Sequence, residues 1–145
     1  GAERQLLQGL KKLARAAQGE TLRAAFEAHY EQTENHIERL KTCFSTLGLS
    51  ARGKKCKAME GLLSEAEEII EEFRDSPEVL DAALIVAAQK VEHYEIASYG
   101  CVVTFAKLMK HDQVKELLGE TLAEEKETDE LLTKIALSDS NVADA

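Results

Sequence analysis

The chain has 145 residues, 27 acidic against 18 basic, for a formal net charge of −9. That length fits one domain able to bury about two-thirds of its unfolded surface without disulfides or a structural metal. An acidic surface repels a phosphate backbone, which argues against nucleic acid as a partner. Ala, Leu, Glu and Lys dominate, with one Pro and no Trp, so little argues for sheet.

No apolar run approaches the roughly 18 residues that cross a bilayer and no signal peptide is visible, so a cytoplasmic protein without membrane contact is expected. Cys43, Cys56 and Cys101 are odd in number and form no C-x-x-C. They read as reduced, small apolar fillers.

In chain order, Leu6, Leu7, Leu10, Leu13, Ala14 and Ala17 mark one helical face over residues 3–17, and Gly19 breaks it. The pattern is already helical at the first residues, so a first helix truncated at its start is expected. Leu22, Phe26, Tyr30, Thr33, Ile37, Leu40, Phe44 and Leu47 form a second stripe that Gly48 ends as a C′ residue. After a polar, basic loop at residues 50–55, a shorter helix is predicted over 56–73, with Cys56, Met59, Leu62, Leu63, Ala66, Ile69, Ile70 and Phe73 as its apolar positions.

Ser76 as N-cap and Pro77 at N1 open the next long helix, which runs through Leu80, Leu84, Ala87, Val91, Ile96, Val102 and Phe105 to about Met109. Asp112 caps the last helix, with Val114, Leu118, Leu122, Leu132 and Ile135 apolar. Short connections make the four long helices antiparallel. The expected organisation is thus an all-α four-helix bundle over residues 1–137, an extra helix between the second and third long helices, and a flexible tail at 138–145.

Titratable residues on the apolar stripes are the informative ones, because burying an unpaired charge is costly. His29 falls about 50° from the centre of the second stripe, at 100° per residue, while Glu31 points away. Glu95 lies on the stripe of the next long helix and Glu92 at its edge. On the last helix Glu125 lines up with Leu118, Leu122 and Leu132, with Glu124 beside it, and Glu3 precedes Leu6 by one turn. A lone inward Glu or His is more often a satisfied core polar group than a ligand. Four helices each offering one make an oxygen and imidazole site suited to iron or manganese.

Di-metal bundles of this kind place a lone Glu on two helices and Glu-x-x-His on the other two. Here the second helix has Thr33 and His36 at that spacing, with His29-x-x-Gln32 one turn earlier, and the last has Glu124-x-x-Glu127. A mononuclear, weak or vestigial site therefore stands as the alternative. His93 points off the stripe and reads as a surface or dimer-contact residue. Tyr94 and Tyr99 read as packing residues whose hydroxyls reach a partner.

Several segments carry a family resemblance: Ala2-Glu3-Arg4-Gln5-Leu6, the run from Lys55 to Leu62, Asp81-Ala82-Ala83-Leu84-Ile85, and Glu124-Glu125-Lys126 before Leu132. Above all, the stretch from Ala88 to Gly100, with Glu92-His93-Tyr94-Glu95 at its centre, resembles the YciE/YciF family of bacterial stress proteins. The resemblance spans essentially the whole chain. It implies a ferritin-like, rubrerythrin-type bundle with an extra helix, dimeric and tied to stress responses.

By the same resemblance Glu92 and Glu95 match the Glu-x-x-Glu of rubrerythrin's third helix, Glu3 the first-helix ligand, Glu124 or Glu125 the last-helix ligand, and His29 with position 32 the second helix. Gln32 stands where relatives carry a carboxylate, and no rubredoxin-like cysteine pair is present. Two readings follow. One is a di-iron or manganese carboxylate protein that oxidises Fe(II) or reduces peroxide under stress, as a homodimer. The other is a non-enzymatic stress or structural dimer with a weakened site, acting through partner binding.

Overall fold

The computed structural model describes residues 1–140, excluding the side chains of the last two. Five α-helices follow one another: α1 (Ala2–Ala16), α2 (Glu20–Thr46), α3 (Lys57–Glu72), α4 (Pro77–Leu108) and α5 (Asp112–Ile135). A single π-type turn, Ala136–Ser140, extends α5 into the segment expected to be a flexible tail, and residues 141–145 lie outside the described residues. The expected all-α bundle with an extra helix between the second and third long helices is thus observed. Among the described residues no helix is long and apolar enough to cross a membrane.

Sequence signals set the helix ends. Gly48 takes φ 68°, the left-handed conformation that closes α2. Ser76 is the N-cap of α4 and Pro77 its first helical residue, although the Ser76 side chain makes no capping bond. Asp112, expected as a cap, is instead the first residue of α5 with His111 at the N-cap. At the α1–α2 corner, Gly19 has no capping side chain. Asp81 of α4 supplies one from outside, accepting from the backbone N–H of Gln18 (2.8 Å) and of Gly19 (2.7 Å).

The packing order is α1 against α2, α2 against α5 and α5 against α4. The extra helix α3 lies on both α1 and α4 and closes the ring between them. Met59, fully buried, and Ala66 are its anchors. Gly9 allows the approach, since a Cβ there would stand 2.4 Å from the end of the Leu63 side chain.

Two apolar clusters fill the bundle. The larger gathers α1, the start of α2, α3, the first half of α4 and the end of α5 around Leu6, Leu10, Leu13, Phe26, Leu84 and Leu132. The smaller, around Cys43, Tyr99, Ala106, Val114 and Leu118, occupies the other end. Each buried leucine contributes about 1.5–3 kcal/mol of apolar transfer. Between the clusters lies a buried polar layer made of Glu3, His29, Thr33, His36, Glu92, Glu95, Thr121, Glu125 and Thr128.

The far end of α4 departs from the expected stripe. Val102 (43%), Phe105 (59%), Leu108 (73%) and Met109 (66%) are exposed, because the face of α4 that packs on α5 there is the one carrying Ala106. The cysteines divide as well. Only Cys43 is a core filler. Cys101 is exposed, and Cys56 is the N-cap of α3, its thiol accepting from Met59 N–H and lying 3.0 Å from the Tyr94 hydroxyl.

Candidate metal centre

Helical periodicity places the polar layer. On α2 the most buried line is Leu22, His29, His36 and Cys43, a strict seven-residue repeat. On α5 the buried positions Leu118, Glu125 and Leu132 repeat in the same way, as do Val114, Thr121, Thr128 and Ile135. Both helices thus carry one polar rung per heptad at the same height. Glu92 and Glu95 of α4, one turn apart, and Glu3 of α1 reach that height from the other side.

These residues form two groups that share Glu125. His29, Glu92, Glu95 and Glu125 are one, and Glu3, His36 and Glu125 the other; within each group one ligand atom per residue lies within 4.8 Å of all the rest. His29 Nε2 stands 3.2 Å from Glu92 and 3.4 Å from Glu125. His36 Nδ1 stands 3.0 Å from Glu125 and 3.7 Å from Glu3. Glu125 therefore sits between the two imidazoles.

The outward nitrogens of both rings are engaged. His29 Nδ1 meets the Gln32 amide oxygen at 3.0 Å and the Thr128 hydroxyl at 3.2 Å. His36 Nε2 meets Glu124 at 2.8 Å. With Nδ1–H donating to Gln32 and Nε2–H to Glu124, each ring would turn a lone pair inward once its inner proton leaves, the tautomer that metal-bound histidines take from an outer partner. Thr33, at the position of an expected ligand, instead donates its hydroxyl to the His29 carbonyl.

The sequence-predicted residues are thus brought together with one exception. Glu3, His29, Glu92, Glu95 and Glu125 face the centre. Glu124 lies at the rim, gripped by both guanidinium nitrogens of Arg39 and bonded to His36. Periodicity missed His36, since the stripe on α2 was drawn through Tyr30, Ile37, Leu40 and Phe44, which the structure leaves only partly buried. The repeat of His36 seven residues after His29 is the signal that finds it. Glu31 is exposed, as is His93, which meets Asp129 at 3.1 Å on the surface.

Titration reflects crowding. Burial drives Glu92 up to about 8 and raises Glu3 and Glu95, with neighbouring carboxylates adding to the rise at Glu95. Burial opposes charge on His29 too, but Glu92 and Glu125 outweigh it and carry the ring to about 9. Glu125 goes the other way: despite burial, hydrogen bonding from His36 and the charge on His29 hold it near 2. At the rim Arg39 lowers Glu124. The Tyr99 hydroxyl donates to Glu3 and is driven strongly upward by burial and that carboxylate, so it stays protonated.

A divalent cation fits this set on the chemistry of its donors. Buried Glu3 Oε2, His29 Nε2, His36 Nδ1, Glu92 Oε2, Glu95 Oε2 and both oxygens of Glu125 have no well-aligned hydrogen-bond partner in the protein. Orphaned buried polar atoms are costly and rare. Seven of them converging from four helices form a set of carboxylate oxygens and imidazole lone pairs that suits manganese or iron.

The profile of the family described as "Domain of unknown function (DUF892)" matches residues 1–144. Protein YciF of Escherichia coli (strain K12) is 51% identical over 141 residues, covering 97% of this chain and 84% of that protein. The crystal structure of the E. coli stress protein YciF superposes with a TM-score of 0.92 at 50% identity, over 98% of this chain and 89% of that one. YcfI from Rhodopseudomonas palustris, described as a candidate structural protein, superposes with a TM-score of 0.90 at 38% identity, over 93% and 85% of the two chains.

Proposed function

We propose that this chain, which belongs to the DUF892 family, is a stress-response protein that holds two iron or manganese ions in its polar layer. The observation that supports the reading best is Glu125, fully buried and shared by two groups of potential ligands. His29 Nε2, Glu92 and Glu95 would hold one ion, Glu3 and His36 Nδ1 the other, with Glu125 common to both sets. The stress role follows E. coli YciF, a stress protein of half-identical sequence.

When bound, iron or manganese supplies the redox chemistry that carboxylates and imidazoles lack, either Fe(II) oxidation or peroxide reduction. The chain's own residues hold and exclude. Gln32, Thr128 and Glu124 fix the ring tautomers. The Tyr99 hydroxyl donates to Glu3 and orients it, and the two apolar clusters keep bulk water from the layer. The facing pair of His29 and Glu92, both raised, holds exchangeable protons near neutrality that a cation must displace.

We further read the protein as a cytoplasmic homodimer, which the exposed apolar end of α4 supports. A second reading, a structural dimer whose site is weak, draws support from YcfI and from Gln32 and Thr128 standing where further ligands could be. Metal content per chain separates the two. The metalloprotein reading expects close to two equivalents from iron- and manganese-replete cells, lost in a Glu95→Ala/Glu125→Ala double variant. Wild-type protein that folds with no bound metal refutes it.

A further inference from the structure

On the outside of the bundle, α1 and α2 enclose a groove of about 370 Å³ that borders no residue of the polar layer. Two contacts fix how its walls are aligned. Arg23 of α2 donates to the Ala17 carbonyl at the end of α1 (2.8 Å), and Lys11 of α1 stands over the Tyr30 ring, 5.1 Å from its centre. The groove therefore has two distinct ends, about two turns of α2 or ~10 Å apart. Arg15 and Arg23 lie at the end next to the α1–α2 corner, Lys11 and Tyr30 at the other. Glu27, one turn from both Arg23 and Tyr30, borders the middle, over a floor of Leu10 and Ala14.

Charge distinguishes this groove. Its lining carries three cations against one carboxylate, in a chain whose net charge is −9. Among the described residues Arg39 and Arg74 are the arginines paired with carboxylates, so Arg15 and Arg23 keep donors free of any acid. The cavity of about 770 Å³ on the other flank of Arg15 sets Glu67, Glu68 and Glu71 against Lys12 and Arg15, and suits no anion.

We propose that the groove between α1 and α2 binds a small phosphomonoester carried on a flat ring, the chemistry of a nucleoside monophosphate. The corner end sets the head group. A phosphomonoester brings close to two negative charges and three acceptor oxygens, which the planar forks of Arg15 and Arg23 match. Size requires an organic body, since the volume equals about twelve molecules of liquid water at ~30 Å³ each, far more than a phosphate ion fills. At the far end the Tyr30 ring and the Lys11 ammonium suit a flat aromatic system, by ring packing and by attraction of the cation to its face. Glu27, between the two ends, accepts from hydroxyls on the link that joins ring and phosphate. A nucleic-acid strand is not the ligand: the acidic surface around the groove repels a polyanion, whereas a single head group is met locally.

The test is isothermal titration calorimetry of the chain with adenosine 5′-monophosphate at low salt, with adenosine and inorganic phosphate as separate titrants. The monophosphate is expected to bind once per chain, and each fragment at least about tenfold more weakly, a gap of ~1.4 kcal/mol. Arg15→Glu and Lys11→Glu, both at exposed positions that leave the core intact, should each weaken the monophosphate about tenfold. Lys107→Glu makes the same change of charge at an exposed position in the last turn of α4 and should leave the affinity within about twofold of wild type. Wild-type chain that takes up no monophosphate overturns the proposal, as does inorganic phosphate bound equally tightly. Equal weakening by Lys107→Glu overturns it too, because the binding would then follow the overall field and not the groove.

Discussion

In the metal-free protein the polar layer holds more protons than the same side chains hold in the unfolded chain, so raising the pH costs stability. His29 titrates near 9 in the fold against an ordinary 6.5: burial opposes its charge, but Glu92 and Glu125 more than compensate. Its contribution is full below 6.5 and lost as the pH rises through about 9. Glu92, raised by burial to about 8 from 4.5, keeps a proton that the unfolded chain releases, so stability falls across that interval as well. Glu125 has the opposite sign: held near 2, it contributes above 4.5 and loses that contribution only as the pH falls toward 2. Between about pH 6.5 and 8 the native state therefore binds roughly one to two extra protons, a loss of about 1.4–2.7 kcal/mol per pH unit. Metal ions compete for the same lone pairs, and their binding releases those protons, so saturating Mn(II) should reverse the slope. Urea denaturation followed by helical circular dichroism, from about pH 5 to 8.5 with and without Mn(II), reads both signs. A metal-free midpoint that stays flat or rises over that interval refutes the assignment of protons to His29 and Glu92.

Two further perturbations address the ring anchors and the exposed end. Gln32→Leu removes the acceptor that fixes the His29 tautomer while leaving every proposed ligand in place, and should weaken metal binding about 10–100-fold in a competition titration with a chelator; unchanged affinity would mean that Thr128 alone orients the ring. Leu108→Glu puts a charge into the exposed apolar end of α4 and should shift the protein from dimer to monomer in sedimentation equilibrium. A monomeric wild type would dispose of the dimer altogether.

Helix existence was readable because the chain's punctuation is strong. Gly19, Gly48 and Ser76-Pro77 each lie at or beside an α-helix end in the structure. Glu3, Glu95 and Glu125 were found inward because neighbouring leucines or valine define their faces. His36 was not, and the reason is physical. On α2 the apolar residues Tyr30, Ile37, Leu40 and Phe44 flank the buried line rather than form it, so the mean direction of hydrophobicity points beside the centre of the bundle. For the same reason Val102 and Phe105 looked like core: apolar identity says nothing about which face of α4 its neighbours cover, and there it is the face of Ala106. The choice between Glu124 and Glu125 depends on Arg39, 85 residues away from Glu124 in sequence, and only the packing of α2 on α5 brings the two together.

The energetics of the layer bear on whether it is a working site or a relic. Four carboxylates and two imidazoles, none more than 4% exposed, occupy the plane where two apolar clusters would otherwise meet. Filling such a plane with well-packed apolar residues is typically neutral or stabilising by about 1–4 kcal/mol, and removing one partner of a buried ion pair costs about 3–5 kcal/mol. A structural dimer with no use for a cation would gain from the first exchange. In this chain the costly groups are all present, and their outer atoms are further tied by Gln32, Thr128, Glu124, Arg39 and Tyr99 in ways that turn the inner atoms toward one another. Bonds of this kind add nothing to an apolar core, and they favour the proposed reading of the layer as a cation centre over the structural one. Gln32 fits the same logic: at a position that looked like a lost ligand, its amide oxygen fixes the ring of a proposed one, His29, and under the two-ion proposal the negative charge facing the ions would be lower by one.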